Sequence, residues 1–198
     1  MTFYSALRNS ILSAAVVVAG HVATAVTVDS DDLLGYLDLS NSNGTSELAG
    51  VNFLIGKYNE PPGPLVPSAV NAYALDAGSN VPAPDLPAAI SGTKFTTSNT
   101  NIDLAGMSYD WLLAKWASGW ALYYVGGISG SIELTMDYDW DDISWTKTGD
   151  KKLQTGKGDG LSHYTLYNGT RVPDSASTLA LLGLGLGALG FVARRRKA

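Results

Sequence analysis

The residues Asp137, Asp139, Asp141 and Asp142 form a row of carboxylates of the kind that binds calcium, a hard cation that prefers oxygen ligands. The row departs from the EF-hand pattern, since aspartate stands at position 142 where glycine makes the turn, and threonine at 148 where glutamate closes the site. Alternate carboxylates on a strand stand about 7 Å apart, too far to share one ion unaided. A solvated strand face that discourages edge pairing is the better reading, and no metal or other cofactor is expected. A second group is aromatic. Trp111, Trp116, Trp120, Trp140 and Trp145 lie within 35 residues and, if exposed, would make a stacking platform for sugars; aromatic residues on strands are more commonly core.

Nucleophilic chemistry finds less support. The chain has no cysteine, which excludes a disulfide framework, a thiolate zinc site and a cysteine nucleophile together. His163 has no nucleophile-elbow motif for a Ser-His-Asp arrangement. No spacing singles out a glycosidase carboxylate pair. The expectation is a protein without catalytic activity. Asn43-Gly44-Thr45 and Asn168-Gly169-Thr170 match the N-glycosylation sequon, a pattern short enough to arise by chance.

The two ends are more specific. Met1 to Asn9 carries Arg8, Ile11 to Gly20 is apolar, and Ala23-Thr24-Ala25 places small residues, Ala23 and Ala25, where a signal peptidase reads. This is the order of a secretory signal, cut after Ala25. At the other end Thr178 to Ala193 holds 16 residues without a charge, followed by Arg194, Arg195, Arg196 and Lys197. As a helix that stretch is about 24 Å long, a little short of the roughly 30 Å hydrocarbon layer, and spans it with local thinning and snorkelling of the flanking arginines. The basic cluster stays cytoplasmic, which places residues 26–170 outside the inner membrane. Pro173 biases Val172 toward an extended backbone, the shape in which processing enzymes hold a peptide.

The run Val172, Pro173, Asp174, Ser175, followed by Ser177-Thr178-Leu179-Ala180-Leu181-Leu182-Gly183 and the basic end, resembles the PEP-CTERM family of sorting signals in its Val-Pro-Asp-Ser-Gly variant, with Ala176 where glycine is usual. Gly160 to Asn168 and the Tyr-Val-Gly-Gly run at Tyr124 to Gly127 also look like the closing region of many PEP-CTERM proteins. The resemblance implies recognition by an exosortase, an integral membrane cysteine protease of Gram-negative bacteria that make exopolysaccharide, and delivery to the cell surface or extracellular matrix. The partners expected are then signal peptidase, exosortase, the membrane through the C-terminal helix, and extracellular polysaccharide. An ordinary C-terminal anchor that no enzyme processes is the alternative, and a carbohydrate-binding module using the tryptophans is another.

Between these ends the chain must build the body. Residues 26–170 hold 7 Lys or Arg against 17 Asp or Glu, a net of −10 that repels nucleic acid and anionic lipid. Leu48, Val51, Leu54, Ile55 and Tyr58 trace one face of a helix near 46–59, with Ser46 as its cap and Pro61-Pro62 as its stop. Seven of the eight prolines lie between Pro61 and Pro87, so this part reads as a long ordered loop with one short strand around Val70 to Leu75. Strands are expected over 93–168: a hairpin from Tyr109 to Val125, an alternating apolar and acidic strand from Ile132 to Trp140, and a last strand from Leu161 to Tyr167. The fold class is mainly β, an antiparallel β-sandwich with one N-terminal-side helix packed at one end, plus a C-terminal transmembrane helix. The organisation is a signal peptide (1–25), an exported β-rich domain (26–170) and a sorting tail (171–198).

Overall fold

In a computed structural model the described residues are 25–41, 43–116, 119–135, 142–148 and 160–171. The signal segment up to residue 24, the part of the expected strand from 136 to 140, the carboxylates Asp137, Asp139 and Asp141, and the tail from Val172 onward lie outside them. In chain order come β1 (Val26–Val28), a 3-10 turn (Ser30–Asp32), β2 (Leu33–Leu39), α1 (Gly44–Asn59), β3 (Val70–Leu75), β4 (Gly92–Thr96), β5 (Asn101–Asp103), β6 (Met107–Ser108), β7 (Trp111–Trp116), β8 (Trp120–Tyr124), β9 (Ser131–Leu134), β10 (Thr146–Lys147), β11 (Leu161–Tyr167) and β12 (Thr170–Arg171).

A seven-stranded antiparallel sheet in the order β10-β3-β2-β8-β7-β11-β4 is the spine of the body. Its two faces are covered differently. On one face Leu33, Tyr36, Leu112, Trp116, Tyr123 and Leu166 pack with Val28, Ile102, Ile132 and Leu134 of a second sheet, β1-β9-β5. On the other face Leu34, Leu37, Trp111, Leu113, Trp120 and Tyr167 pack with Val51, Phe53, Leu54 and Ile55 of α1 and with Val81, Leu86 and Ala89 of the proline-rich segment. The result is three layers, small sheet, large sheet, then helix and loop. Two sheets do pack face to face, but the helix lies across the outer face of the larger one rather than at one end as expected, because β2 is apolar on both faces and needs a cover on each side.

β2 was not foreseen. All seven residues of Leu33–Leu39 are buried, so the run lacks the period-two alternation by which half-buried strands are recognised. Gly35 lies where β3 comes so close that a Cβ would sit 2.2 Å from the Ala74 carbonyl oxygen. The β7–β8 hairpin pairs Lys115 with Trp120 and Trp111 with Tyr124, and the alternating segment after Gly130 enters the small sheet as β9.

The helix begins two residues earlier than its apolar face suggests. Asn43 rather than Ser46 is the cap, its side chain accepting a hydrogen bond from the Ser46 N–H at 2.8 Å. Two asparagines seven positions apart on α1, and so on one face, hold the loop by backbone mimicry. Asn52 donates to the Ala89 carbonyl and accepts from the Ala89 N–H. Asn59 donates to the Leu86 carbonyl and accepts from the N–H groups of Asp85 and Leu86. No helix among the described residues is long and apolar enough to cross a membrane.

Candidate functional site

The most unusual chemistry in the body is a buried carboxylate. Glu47, in the first turn of α1, is 0 % exposed. Its Oε1 accepts from Lys94 Nζ at 2.8 Å and from His163 Nε2 at 3.1 Å, and its Oε2 accepts from Thr165 Oγ1 at 3.1 Å. The strand pattern places these donors: His163 and Thr165 are two apart on β11 and share a face, and Lys94 on β4 stands opposite Thr165 in register. Burying a carboxylate without partners is strongly unfavourable, and three donors offset that cost here.

Burial lowers the His163 pKa below its ordinary value, the hydrogen bond to Glu47 acting against it and the nearby Lys94 charge with it. A neutral imidazole facing a carboxylate carries its proton on Nε2, which leaves Nδ1 as acceptor for Ser162 Oγ, 3.4 Å away. Ser162, His163 and Glu47 thus line up as hydroxyl, imidazole and carboxylate. The long hydroxyl contact and the adjacency of Ser162 and His163 on one strand make this a polar bolt fastening α1 to β11 and β4. Lys115, whose pKa is lowered by burial against the opposing pull of Asp38, lies 4.1 Å from the centre of the Trp120 ring on the same face.

The tryptophans divide. Trp111 is 0 % exposed and donates its ring N–H to the Pro87 carbonyl at 2.9 Å; Trp116 and Trp120 are 2 % and 3 % exposed. These three positions follow the core reading of strand aromatics: they are buried in the cores on opposite sides of the sheet, Trp116 on one and Trp111 and Trp120 on the other. Trp145 is half-buried against Tyr36, ring centres 6.3 Å apart, and Trp140 lies outside the described residues. Asp142 lines an open cavity of about 290 Å³ with Tyr36, Leu75, Asp76 and Ile143.

A second acidic group, Asp29, Asp31 and Asp32, is consumed by its own turn. Asp29 caps the 3-10 turn and Asp32 bonds back to the Asp29 N–H. Ser79 donates to Asp31 and Asn80 to Asp32, whose carboxyl is pushed up by burial. Among the described residues no cluster of three or more acidic or histidine side chains could hold a metal ion.

The third place of interest is where the chain leaves the body. Asn168 adopts a positive φ of 60°, and its side chain accepts from the Ile90 N–H at 2.8 Å and donates to the Ala88 carbonyl at 2.8 Å and to Asp110 Oδ2 at 2.9 Å. Its backbone N–H donates to the Ser91 carbonyl at 3.1 Å. Both sequon asparagines are therefore structural, Asn43 as a helix cap and Asn168 as this anchor. Gly169 then lies flat on Tyr109, where a Cβ would fall 2.5 Å from the ring, and β12 pairs with β6. The Asn-Gly dipeptide was the visible sign of this turn. Glu47, by contrast, carried no signal, since its partners lie 47 to 118 residues away in sequence.

Neither a comparison with curated proteins nor one with solved structures found a match. Residues 171–197 match the VPDSG-CTERM motif, a variant of the PEP-CTERM type of sorting signal. The match starts at Arg171, the last described residue of β12, and covers Val172, Pro173, Asp174, Ser175 and the basic end Arg194, Arg195, Arg196 and Lys197. The chain therefore carries a folded, mainly β body joined without a linker to a VPDSG-CTERM sorting tail, the mark of an exported protein processed at its C-terminus.

Proposed function

We propose that the signal peptidase removes residues 1–25, that the apolar segment 178–193 holds the chain in the inner membrane with its basic end in the cytoplasm, and that an exosortase then acts at the tail and releases the body to the cell surface or the exopolysaccharide matrix. The body serves there as a non-enzymatic, acidic component. The observation that carries this reading is the order of the tail in the sequence: a Val-Pro-Asp-Ser motif, an apolar stretch of near-spanning length and a basic stop follow at once after the last described strand. A net charge of −10 in residues 26–170 keeps such a body soluble and away from anionic headgroups once released.

The test is the intact mass of the exported protein from a host that carries an exosortase and from the same host without it. The expected result is loss of Arg194–Lys197 only where the enzyme is present. Retention of the basic end in both hosts would establish an unprocessed membrane anchor instead, and a topology reporter fused after Thr170 that stays in the cytosol would remove the export reading altogether.

A further inference from the structure

The body ends in a two-stage lock, and we propose that its outer stage, the pairing of β12 with β6, must open before the sorting motif can be taken up by the peptidase that reads it. The inference rests on the processing proposed above and adds a step to it. Thr170 lies opposite Ser108 and Arg171 opposite Met107 in an antiparallel pair. Val172 is the next residue in sequence, so nothing separates the motif from the folded body. Enzymes and domains that take an extended peptide do so by pairing its backbone N–H and C=O groups themselves. The residues just ahead of the motif have one backbone edge committed to β6, and a cleft that grips an extended peptide along both edges can take that edge only after β12 leaves β6.

The two stages differ in strength. β12 is two residues long, and so short a ladder opens readily. Behind it Gly169 lies on the Tyr109 ring, and Asn168 is held by four hydrogen bonds, to Ile90, Ala88, Asp110 and Ser91. Peeling can therefore free Arg171, Thr170 and Gly169 and then stops at Asn168. This supplies a short extended lead into the motif while leaving β11, and with it the Glu47 cluster, in place.

The clasp can be locked chemically. Directly opposed residues of an antiparallel pair have Cα atoms about 4.5 to 5.5 Å apart, within disulfide reach. The chain contains no cysteine, so the pair Ser108→Cys with Thr170→Cys has a single possible intramolecular bond, and export takes it to an oxidising compartment. Processing of an occluded segment follows the population of its open form. The full-length double variant is accordingly expected to lose Arg194–Lys197 at least about tenfold more slowly than wild type in an exosortase-bearing host, read by intact mass over time. Reductant should restore the wild-type rate, and so should a six-residue Gly-Ser insertion between Arg171 and Val172 in the locked protein. Processing of the oxidised variant at the wild-type rate overturns the clasp, as does a defect that survives both reduction and the insertion. A wild-type chain that keeps its basic end in this host overturns the processing itself, a separate and distinguishable failure.

Discussion

The two faces of the seven-stranded sheet are covered by different means. The small sheet meets it through apolar side chains, with its own strands joined by backbone ladders such as Ile102 opposite Ile132. On the opposite face the cover is a helix and a proline-rich loop, neither of which can extend a ladder to the sheet below. That side carries Ser46, Glu47, His163 and Thr165 as buried polar groups, together with the Asn52 and Asn59 contacts that fasten the loop to the helix. Apolar pressure is non-directional and brings layers together without fixing their rotation. Among the described residues the directional side-chain bonds gather under the helix and loop, the cover whose own segments are not tied to one another by strand ladders.

If this division is right, the ladder-built side responds to lost volume and the helix side to lost partners. Trp116→Ala removes a fully packed ring and should cost about 3 to 5 kcal/mol, the largest effect expected here, measured by denaturant unfolding. Glu47→Ala removes little apolar volume yet leaves His163 and Thr165 buried without their acceptor, and should cost about 3 kcal/mol. A Glu47→Ala loss below about 0.5 kcal/mol would break the comparison, because the polar cluster would then be ornamental. Removal of His163 and Glu47 together should cost less than the sum of the two single changes, since they share one interaction.

Legibility in the sequence followed the same line. Elements with a local signal besides alternation were readable: α1 from its spacing, and β7, β8 and β11 from aromatic-rich runs bounded by glycine, although these strands are buried on both faces. β2 was not, since burial on both faces erases alternation and Leu33–Leu39 has neither an aromatic cluster nor a glycine turn beside it, and with it went the three-layer arrangement. The tryptophans read as core more readily than as a surface, but a strand's aromatic residues read alike on either face; the second cover, helix and loop, is what places Trp111 and Trp120 indoors. The Glu47 cluster was invisible because a buried carboxylate is defined by donors distant in sequence. The tail was the most readable part of the chain because its recognition is linear, a motif followed by an apolar run and charges, and needs no fold.

A milder test concerns the loop. Asn59→Ala deletes three hydrogen bonds to Asp85 and Leu86 while leaving the helix intact, and should cost about 1 to 2 kcal/mol. The loss should concentrate locally: amide exchange at Leu86 and Ala89 should rise while that of β7 and β11 stays unchanged. Uniform acceleration throughout the body would mean that loop and sheet open as one unit, and the distinction between the two covers would fail.

The smallest effect is a dependence on pH carried by the bolt. Burial holds the His163 pKa below its unfolded value, so between the two the unfolded chain binds more protons than the folded one. Stability from this group is complete above the ordinary histidine range, near pH 6.5, and is lost progressively as the pH falls through the depressed folded value. The groups that face the imidazole set the slope: Glu47 favours its protonation, while Lys94 and Lys115 oppose it. His163→Gln keeps a side-chain donor for Glu47 but cannot titrate, so its unfolding free energy should change less between pH 7 and pH 5 than that of wild type. Because acidic residues outside the bolt contribute to both proteins alike, the comparison isolates the histidine. Parallel curves for the two would show that His163 is already free to protonate in the folded state, and that the helix-side cover is held by shape rather than by this acceptor and its donors.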